Sequence, residues 1–173
     1  MNILFIGPYK TQAFNQRYND PFFSGLGGQR KKQMVLQALL KGGHRVELLP
    51  TAITHQNFAG WQCIPTHDER FPTGTLRAHH APTVGTKPFS GLLSCYTSWR
   101  LGAHLAKSFR ADAVIVYNGT LAETFALLGY LARRPVPVAL ELDDLPMARK
   151  RGLNPKPRLD LWSFPKAVAL AQA

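Results

Sequence analysis

The sequence predicts an α/β domain with a Rossmann-like, doubly wound and mostly parallel sheet that carries helices on both faces. Short apolar runs, typical of strands that are buried on both sides, alternate with amphipathic segments typical of helices. Such an alternation favours right-handed crossovers between parallel strands. The chain has 173 residues, of which 45% are hydrophobic, so it can bury one substantial core and has the size of one domain.

The first fifty residues predict a strand, a long loop, a helix and a second strand. Residues 2–6 form an apolar strand, and a polar loop with glycines at positions 25, 27 and 28 follows it. The helix extends from about Gly28 to Lys41 and ends at a glycine pair, which suits a helix C-terminus. Residues 44–49 form the second parallel strand, which Pro50 ends. The helix side chains expected to face the core are Met34, Val35, Ala38 and Leu39.

The middle of the chain predicts an irregular insertion at residues 51–90. Its glycine, proline, histidine and threonine residues favour loops, with one or two short strands among them. A helix is predicted next, at residues 92–109. The residues expected near one face of that helix are Leu93, Tyr96, Trp99 or Arg100, Ala103 and Leu105.

A strand, a helix and a further strand are predicted after residue 112. Residues 113–117 are apolar throughout, which predicts a central parallel strand, and Asn118-Gly119-Thr120 predicts a turn and a helix N-cap. The helix extends to Leu131, and residues 135–142 supply another strand, directly followed by Asp143 and Asp144. The helix side chains expected to be buried are Leu121, Phe125, Leu128 and Leu131.

The glycines of the first loop predict an anion site. The free N–H groups and the dipole of a helix N-terminus attract phosphate or pyrophosphate, and glycine lets the anion approach the backbone. The sequence Gly25-Leu26-Gly27-Gly28 matches neither the dinucleotide-binding fingerprint nor the P-loop pattern. A flexible loop whose glycines only begin the helix is the alternative.

The formal net charge of +11 favours anionic partners, namely nucleotide phosphates, acidic lipid headgroups or nucleic acid. Basic residues collect at positions 30–32, at Arg133-Arg134 and in the tail from Arg149 to Lys166. For the tail, contact with an anionic membrane surface and a merely solvated surface stay open as alternatives. Nucleic-acid binding is disfavoured, because aromatic residues are not interleaved with the basic ones and no recognition motif is present.

No metal, cofactor or membrane span is expected. The chain lacks an apolar run long enough to cross a bilayer and lacks a signal peptide, so we expect a cytoplasmic protein, with peripheral contact at the inner face of the membrane as a further expectation. Cys63 and Cys95 lack metal-ligand spacing and are expected to be free thiols. His79 and His80 lack such spacing too and are interpreted as exposed loop residues.

Five segments together resemble the N-terminal domain of GT-B glycosyltransferases of the retaining GT4 type. They are the strand at residues 2–6, the loop at 25–28, residues 39–46 with their Lys-Gly-Gly-His-Arg-Val turn, residues 112–117, and the strand that ends in Glu141-Leu142-Asp143-Asp144. The likeness covers most of the chain apart from residues 51–90. It implies that residues 1–173 form the acceptor-side half of a two-domain enzyme whose donor-binding C-terminal half lies outside this sequence.

The resemblance implies transfer of a sugar from a nucleotide-diphosphate-sugar donor to a glycan, lipid or small-molecule acceptor. It implies that Gly27 and Gly28 approach the donor pyrophosphate. Acceptor-binding roles fall to Arg30, Asn118, Asp143 and Asp144, and catalytic roles to Asn118 and Asp143. Many relatives carry a histidine after a mid-sheet strand where this chain has Tyr117-Asn118-Gly119, and an asparagine is a poor general base.

Plainer interpretations of these residues stay open. Asn118 also suits a turn, and Asp143 and Asp144 also suit local backbone hydrogen bonds after a strand. We expect the half-enzyme to be inactive alone, because the groups that stabilise the leaving diphosphate belong to the other half. The alternative function is a non-enzymatic nucleotide- or phosphate-binding α/β module. A nicotinamide-dependent oxidoreductase is disfavoured because Glu47 lies inside the second strand rather than at its end.

Overall fold

A mostly parallel β-sheet lies between two layers of helices. The computed structural model describes residues 1–18, 26–51, 60–84 and 89–141, together with Pro165 and Ala169. The strands are β1 (Asn2–Gly7), β2 (Arg45–Pro50), β3 (Trp61–Gln62), β4 (His67–Phe71), β5 (Gly74–Ala78), β6 (Thr83–Val84), β7 (Ala113–Tyr117) and β8 (Val138–Glu141). The helices are α1 (Gln12–Tyr18), α2 (Leu26–Lys41), α3 (Phe89–Ser108) and α4 (Leu121–Leu131).

The main sheet has six strands in the order β4-β5-β2-β1-β7-β8. Only the β4–β5 pair is antiparallel among these strands, while β5, β2, β1, β7 and β8 are parallel to one another. The chain places β2 and β5 on one side of β1 and then β7 and β8 on the other side, as in Rossmann-like sheets. The predicted α/β fold with a mostly parallel sheet and flanking helices is therefore confirmed.

Each face of the sheet has its own apolar core, because successive side chains of a strand point to opposite faces. On one face, Leu4, Ile6 and Val116 pack with residues of α3 and α4 such as Leu105 and Leu127. On the other face, Phe5, Leu48 and Tyr117 pack with α2 through Leu36. The parallel strands are thus covered on both sides, which explains why β1 and β7 read as continuous apolar runs.

The predicted helix faces are partly wrong. Met34 is 69% exposed, and α2 instead buries Lys32 and Leu36. Tyr96 and Trp99 of α3 are exposed, at 52% and 38%. In α4, the predicted stripe is only partly buried, and the fully covered positions are Glu123, Thr124, Ala126, Leu127, Gly129 and Tyr130. For α3 and α4, the reason is that Gly102 and Gly129 lie where the two helices touch, and this contact decides which side chains turn outward.

The segments predicted as irregular contain regular structure. Helix α1 lies in the predicted first loop and buries a single residue, Phe14. Within residues 51–90, β4 and β5 form a hairpin joined by Pro72-Thr73, and β5 extends the parallel sheet beside β2. The short strands β3 and β6 form a separate antiparallel pair.

Helices α3 and α4 touch through their backbones at two glycines. A Cβ added at Gly102 would lie 2.1 Å from the carbonyl oxygen of Ala126, and one added at Gly129 would lie 2.1 Å from that of Trp99. Backbone atoms cannot yield as a flexible side chain does, so either methyl group would push the two helices apart. Gly91 lies near the start of the same helix α3, and nothing lies within 4 Å of its Cβ position.

We predict that Gly102→Ala and Gly129→Ala each lower the free energy of unfolding by about 1–3 kcal/mol or more, as overpacking of a core does. Gly91→Ala is the matched control and should raise stability by about 0.5–1 kcal/mol, because alanine is the better helix former. Urea denaturation of the three variants measures this difference. Equal effects at all three positions would contradict the close approach of the helices.

Candidate functional site at the carboxyl ends of the parallel strands

The carboxyl ends of the five parallel strands lie along one edge of the main sheet. The chain reverses its direction of progress across the sheet at β1, so β1 and β7 are neighbours that are far apart in sequence. In open α/β sheets, ligands bind outside the strand ends at such a switch point. We call the residues at the ends of these two strands, Gly7, Pro8, Tyr117 and Asn118, the switch-point edge.

Gly7 allows β1 and β7 to end in close contact. A Cβ at Gly7 would lie 2.8 Å from the Cβ of Tyr117 and 3.3 Å from the ring of Phe5. The carbonyl oxygen of Gly7 accepts hydrogen bonds from the N–H groups of Tyr9 and Thr51, at 2.8 and 2.9 Å. The segments that follow β1 and β2 therefore turn away from the sheet at a common point.

The beginning of α2 is tied to the segment that follows β1. The side-chain amide of Gln29 donates to the carbonyl of Lys10 at 2.9 Å and accepts from the N–H of Lys10 at 3.4 Å. The ammonium of Lys32 donates to the carbonyl of Pro8 at 2.8 Å and lies 5.0 Å from the ring centre of Tyr117. The first turn of α2 thus lies at the switch-point edge.

The two glycines of the predicted anion site belong to that first turn. The helix begins at Leu26, two residues earlier than predicted, so Gly27 and Gly28 are helical rather than part of the loop. Gly25 lies outside the described residues. Arg30, predicted to bind the acceptor, lies one position further along α2 than Gln29 and is exposed.

Asn118 has a left-handed backbone, with a φ of 67°, and Gly119 follows it with a φ of 56°. The N–H of Asn118 donates to the carbonyl of Glu141 at 2.7 Å, and Thr120 is the N-cap of α4, as predicted. Asparagine tolerates this conformation better than most residues, so the turn alone accounts for part of the choice. Its side chain is partly buried at the switch-point edge.

The predicted acidic residues Asp143 and Asp144 lie outside the described residues. The carboxylate nearest to them in the sequence that the structure describes is Glu141, at the end of β8. It forms an ion pair with Lys31 of α2 at 2.8 Å, and the ammonium of Lys31 lies 5.9 Å from the ring centre of Tyr117. This edge of the sheet therefore carries cations from α2 and a carboxylate from β8.

A buried carboxylate beside the switch-point edge is not among the site residues that the sequence predicts. Glu123, in the first turn of α4, is 1% exposed, and its two carboxylate oxygens accept hydrogen bonds from the hydroxyl groups of Thr51 and Thr120. The contact joins the end of β2 to the beginning of α4. The Thr120-x-x-Glu123 spacing, which is typical of a capping box, is the sequence feature from which this carboxylate could have been identified.

Two histidine–carboxylate pairs lie further along the same edge, at β4 and β5. His79 lies 2.9 Å from the buried carboxylate of Glu47 through its Nε2, and 3.3 Å from the hydroxyl of Thr66 through its Nδ1. His67 lies 3.6 Å from the carboxylate of Glu69. The sequence predicts exposed loop positions for His79 and His80, whereas the structure places both partly buried at the end of β5.

Helix α1 is anchored on the residues around the His67–Glu69 pair. Glu69 accepts the N–H of Gln12 at 2.9 Å, and Thr11 caps the helix by accepting the N–H of Phe14 at 3.1 Å. His80 lies 3.0 Å from the Thr11 hydroxyl, and its ring stacks on His67 at 5.4 Å between ring centres. Burial is the main cause that raises the pKa of the Glu69 carboxyl.

Burial, with His67 and His79 nearby, lowers the pKa of His80 to about 3. His80 is therefore neutral at physiological pH. Burial of Tyr9, together with the nearby charge of Glu69, raises the pKa of the Tyr9 hydroxyl. His80 and Tyr9 are thus held in their uncharged forms, which fits a structural anchor for α1.

Comparisons of the chain with protein-family models, with curated proteins and with solved structures give no match. Within the residues that the structure describes, no three histidine, cysteine or acidic side chains are arranged to hold a metal ion. None of the described helices is long and apolar enough to cross a membrane.

We predict that His80→Gln weakens the pH dependence of stability. Unfolded His80 binds a proton below about pH 6.5, whereas the folded side chain stays neutral until about pH 3. Acidification through this window therefore destabilises the protein by up to about 1.4 kcal/mol per pH unit, and the variant loses this contribution. Urea denaturation between pH 7 and pH 5 measures both slopes.

The raised pKa of Glu69 acts in the opposite direction, because the folded state takes up that proton before the unfolded state does. Both proteins retain Glu69, so it cancels in the comparison. Parallel stability curves for the wild type and the variant would contradict a neutral, buried His80.

Proposed function

We propose that the chain binds a pyrophosphate-bearing nucleotide-sugar at the switch-point edge and supplies the acceptor-side half of a glycosyltransferase. The observation that carries the proposal is the attachment of the α2 N-terminus to the end of β1 through Gln29 and Lys32. It brings a glycine-containing helix start to the position where ligands of Rossmann-like sheets bind. The proposed reaction, the transfer of a sugar, rests on the resemblance of the sequence to GT-B glycosyltransferases.

The first turn of α2 suits an anion for three physical reasons. Its backbone N–H groups lack partners within the helix, and the helix dipole adds partial positive charge at the same end. Glycine at positions 27 and 28 leaves these donors uncovered by side chains. Arg30 lies in the next part of the same helix and is exposed, so it can add a full positive charge.

In the proposed reaction, the bond between the sugar and the diphosphate breaks while the acceptor oxygen bonds to the sugar, and the proton of the acceptor hydroxyl passes to the leaving diphosphate. Negative charge develops on the leaving diphosphate, and fixed N–H donors stabilise such charge without having to reorganise. We assign this stabilising role to the first turn of α2. Asn118, with Asp143 and Asp144, is assigned to the acceptor hydroxyls, because amide and carboxylate groups hydrogen-bond hydroxyls well.

A second candidate function is a phosphate-binding module without catalysis. The left-handed backbone of Asn118 favours it, because the turn explains this residue without any sugar ligand. Both candidates require an anion at α2. They differ in whether the Asn118 side chain recognises a sugar.

We predict that Gly27→Val and Gly28→Val each weaken binding of inorganic pyrophosphate and of uridine diphosphate by about tenfold or more. A β-branched side chain covers the N–H donors, and a hydrogen bond to a charged group contributes about 1.5–3 kcal/mol. Isothermal titration calorimetry measures the affinities. Gly91→Val, in the first turn of α3, is the matched control, because the substitution costs helix stability at an equivalent position away from the site.

A second control separates the site from general attraction to a basic surface. Arg133→Ser with Arg134→Ser removes two cations beyond the end of α4 and should leave pyrophosphate affinity unchanged. The proposed anion site fails if the two valine variants bind as tightly as Gly91→Val, or if the arginine variant loses binding instead.

We also predict that Asn118→Gly preserves the melting temperature and abolishes contact with simple methyl glycosides in saturation-transfer NMR. Glycine keeps the left-handed backbone and removes only the amide. Asn118→Ala should in addition lose about 1–2 kcal/mol of stability, since alanine is strained there. Unchanged saturation transfer in Asn118→Gly would favour the phosphate-binding module over the transferase.

A further inference from the structure

Helix α3 exposes three large side chains along one stripe. Leu92 is 69% exposed, Tyr96 is 52% exposed and Trp99 is 38% exposed. Their spacing of four and three residues places them on one face of the helix. We call Leu92, Tyr96 and Trp99 the α3 ledge.

The α3 ledge cannot turn into the core of the domain. The opposite side of α3 buries Ser94 and Ser98, and Gly102 meets the backbone of α4. Because that contact involves backbone atoms, it fixes the rotation of α3 about its own axis. The exposed stripe is therefore a lasting property of the surface in the part of the chain that the structure describes.

The two aromatic rings of the ledge contact each other, and a cation borders them. The rings of Tyr96 and Trp99 are stacked, with their centres 6.4 Å apart, and the guanidinium of Arg100 lies 5.9 Å from the Tyr96 ring centre. The 20 residues of α3 include Arg100 and Lys107 but no aspartate or glutamate. The whole chain carries a formal net charge of +11.

We propose that the α3 ledge docks on an anionic lipid surface. Tyrosine and tryptophan favour the boundary between headgroups and acyl chains, and an exposed leucine can enter the apolar layer beneath them. Arg100 reaches the headgroups, and the absence of carboxylates along α3 removes repulsion from an acidic leaflet. This inference is independent of the proposed glycosyltransferase activity.

Two other occupants fit the ledge less well. In a symmetric pair of α3 ledges, two chains that each carry a formal net charge of +11 would repel each other. A nucleic acid needs a row of cations that follows its phosphates, whereas Arg100 is the one lysine or arginine within the segment 89–106. The apolar side chain of Leu92 favours lipid over nucleic acid.

The test uses the full chain with Trp61→Phe and Trp162→Phe, so that Trp99 is the only tryptophan. Vesicles of phosphatidylcholine alone, and vesicles of equal parts phosphatidylcholine and phosphatidylglycerol, are prepared with and without bromine on the acyl chains. We expect a blue shift of Trp99 emission and quenching by brominated lipid on the anionic vesicles. Salt should weaken the binding, since attraction to the headgroups is screened.

Sedimentation of the otherwise unaltered chain with the same vesicles tests the ledge by substitution. Leu92→Ser and Tyr96→Ser should each lower the partition coefficient by about tenfold, because they remove apolar surface from the lipid contact. Met34→Ser is the matched control, because Met34 is equally exposed but lies on α2, on the opposite face of the sheet. It should sediment like the wild type.

A variant of the basic tail, Arg149→Ser with Lys150→Ser and Arg151→Ser, separates ledge from tail. The proposal requires that Trp99 is still quenched in this variant. It is overturned if Trp99 is not quenched on anionic vesicles, if only the tail variant loses binding, or if the ledge substitutions instead abolish self-association or binding to an oligonucleotide.

Discussion

The close approach of β1 and β7 at Gly7 is the constraint on which the candidate site depends. Any side chain at this position would collide with Tyr117, so the ends of the two central strands can meet only through a glycine. Strand β1 is also the element that joins the two halves of the sheet, since it pairs with β2 on one side and with β7 on the other. The Tyr117 ring, held against β1, then provides the surface on which Lys31 and Lys32 of α2 lie. The position of the α2 N-terminus therefore depends on the absence of a side chain at Gly7.

Three buried carboxylates of the described residues are each paired or hydrogen-bonded. The carboxylate of Glu47 lies against His79 and Arg45. The carboxylate of Glu69 accepts a hydrogen bond from the N–H of Gln12, and that of Glu123 accepts hydrogen bonds from two threonine hydroxyls. A buried charge is costly unless it is paired or hydrogen-bonded, so each pairing specifies how one segment meets the sheet. Because these acidic residues are used inside, the surface is left with an excess of cations. The basic character of the surface therefore depends partly on which residues are buried.

The sequence predicted the elements with strong periodicity and missed those without it. β7 was predicted with its observed bounds because it is apolar throughout and buried on both faces. Helix α1 has seven residues and buries only Phe14, so it has no stripe to detect. In β4, Glu69 is the one buried residue, so the strand has the polar character of a loop.

For the candidate site, the sequence indicated Gly27, Gly28 and Asn118, all described at the same edge, whereas Glu123 and the histidine–glutamate pairs depend on contacts between distant segments. The exposed faces of Tyr96 and Trp99 could not be predicted either, because the glycine contact between α3 and α4 decides the rotation of the helix.

The most direct test of the site is a titration of the ¹⁵N-labelled chain with inorganic pyrophosphate, followed by amide chemical shifts in two-dimensional NMR. The site that we propose predicts the largest shift changes at the amides of Gly27, Gly28 and Gln29, with smaller ones at Gly7 and Asn118. Binding at this edge also predicts little change at Gly91, whose amide lies at the start of another helix. Shift changes spread over the basic surface, or centred on His79 and His80 at the end of β5, would contradict a site at the junction of β1, β7 and α2.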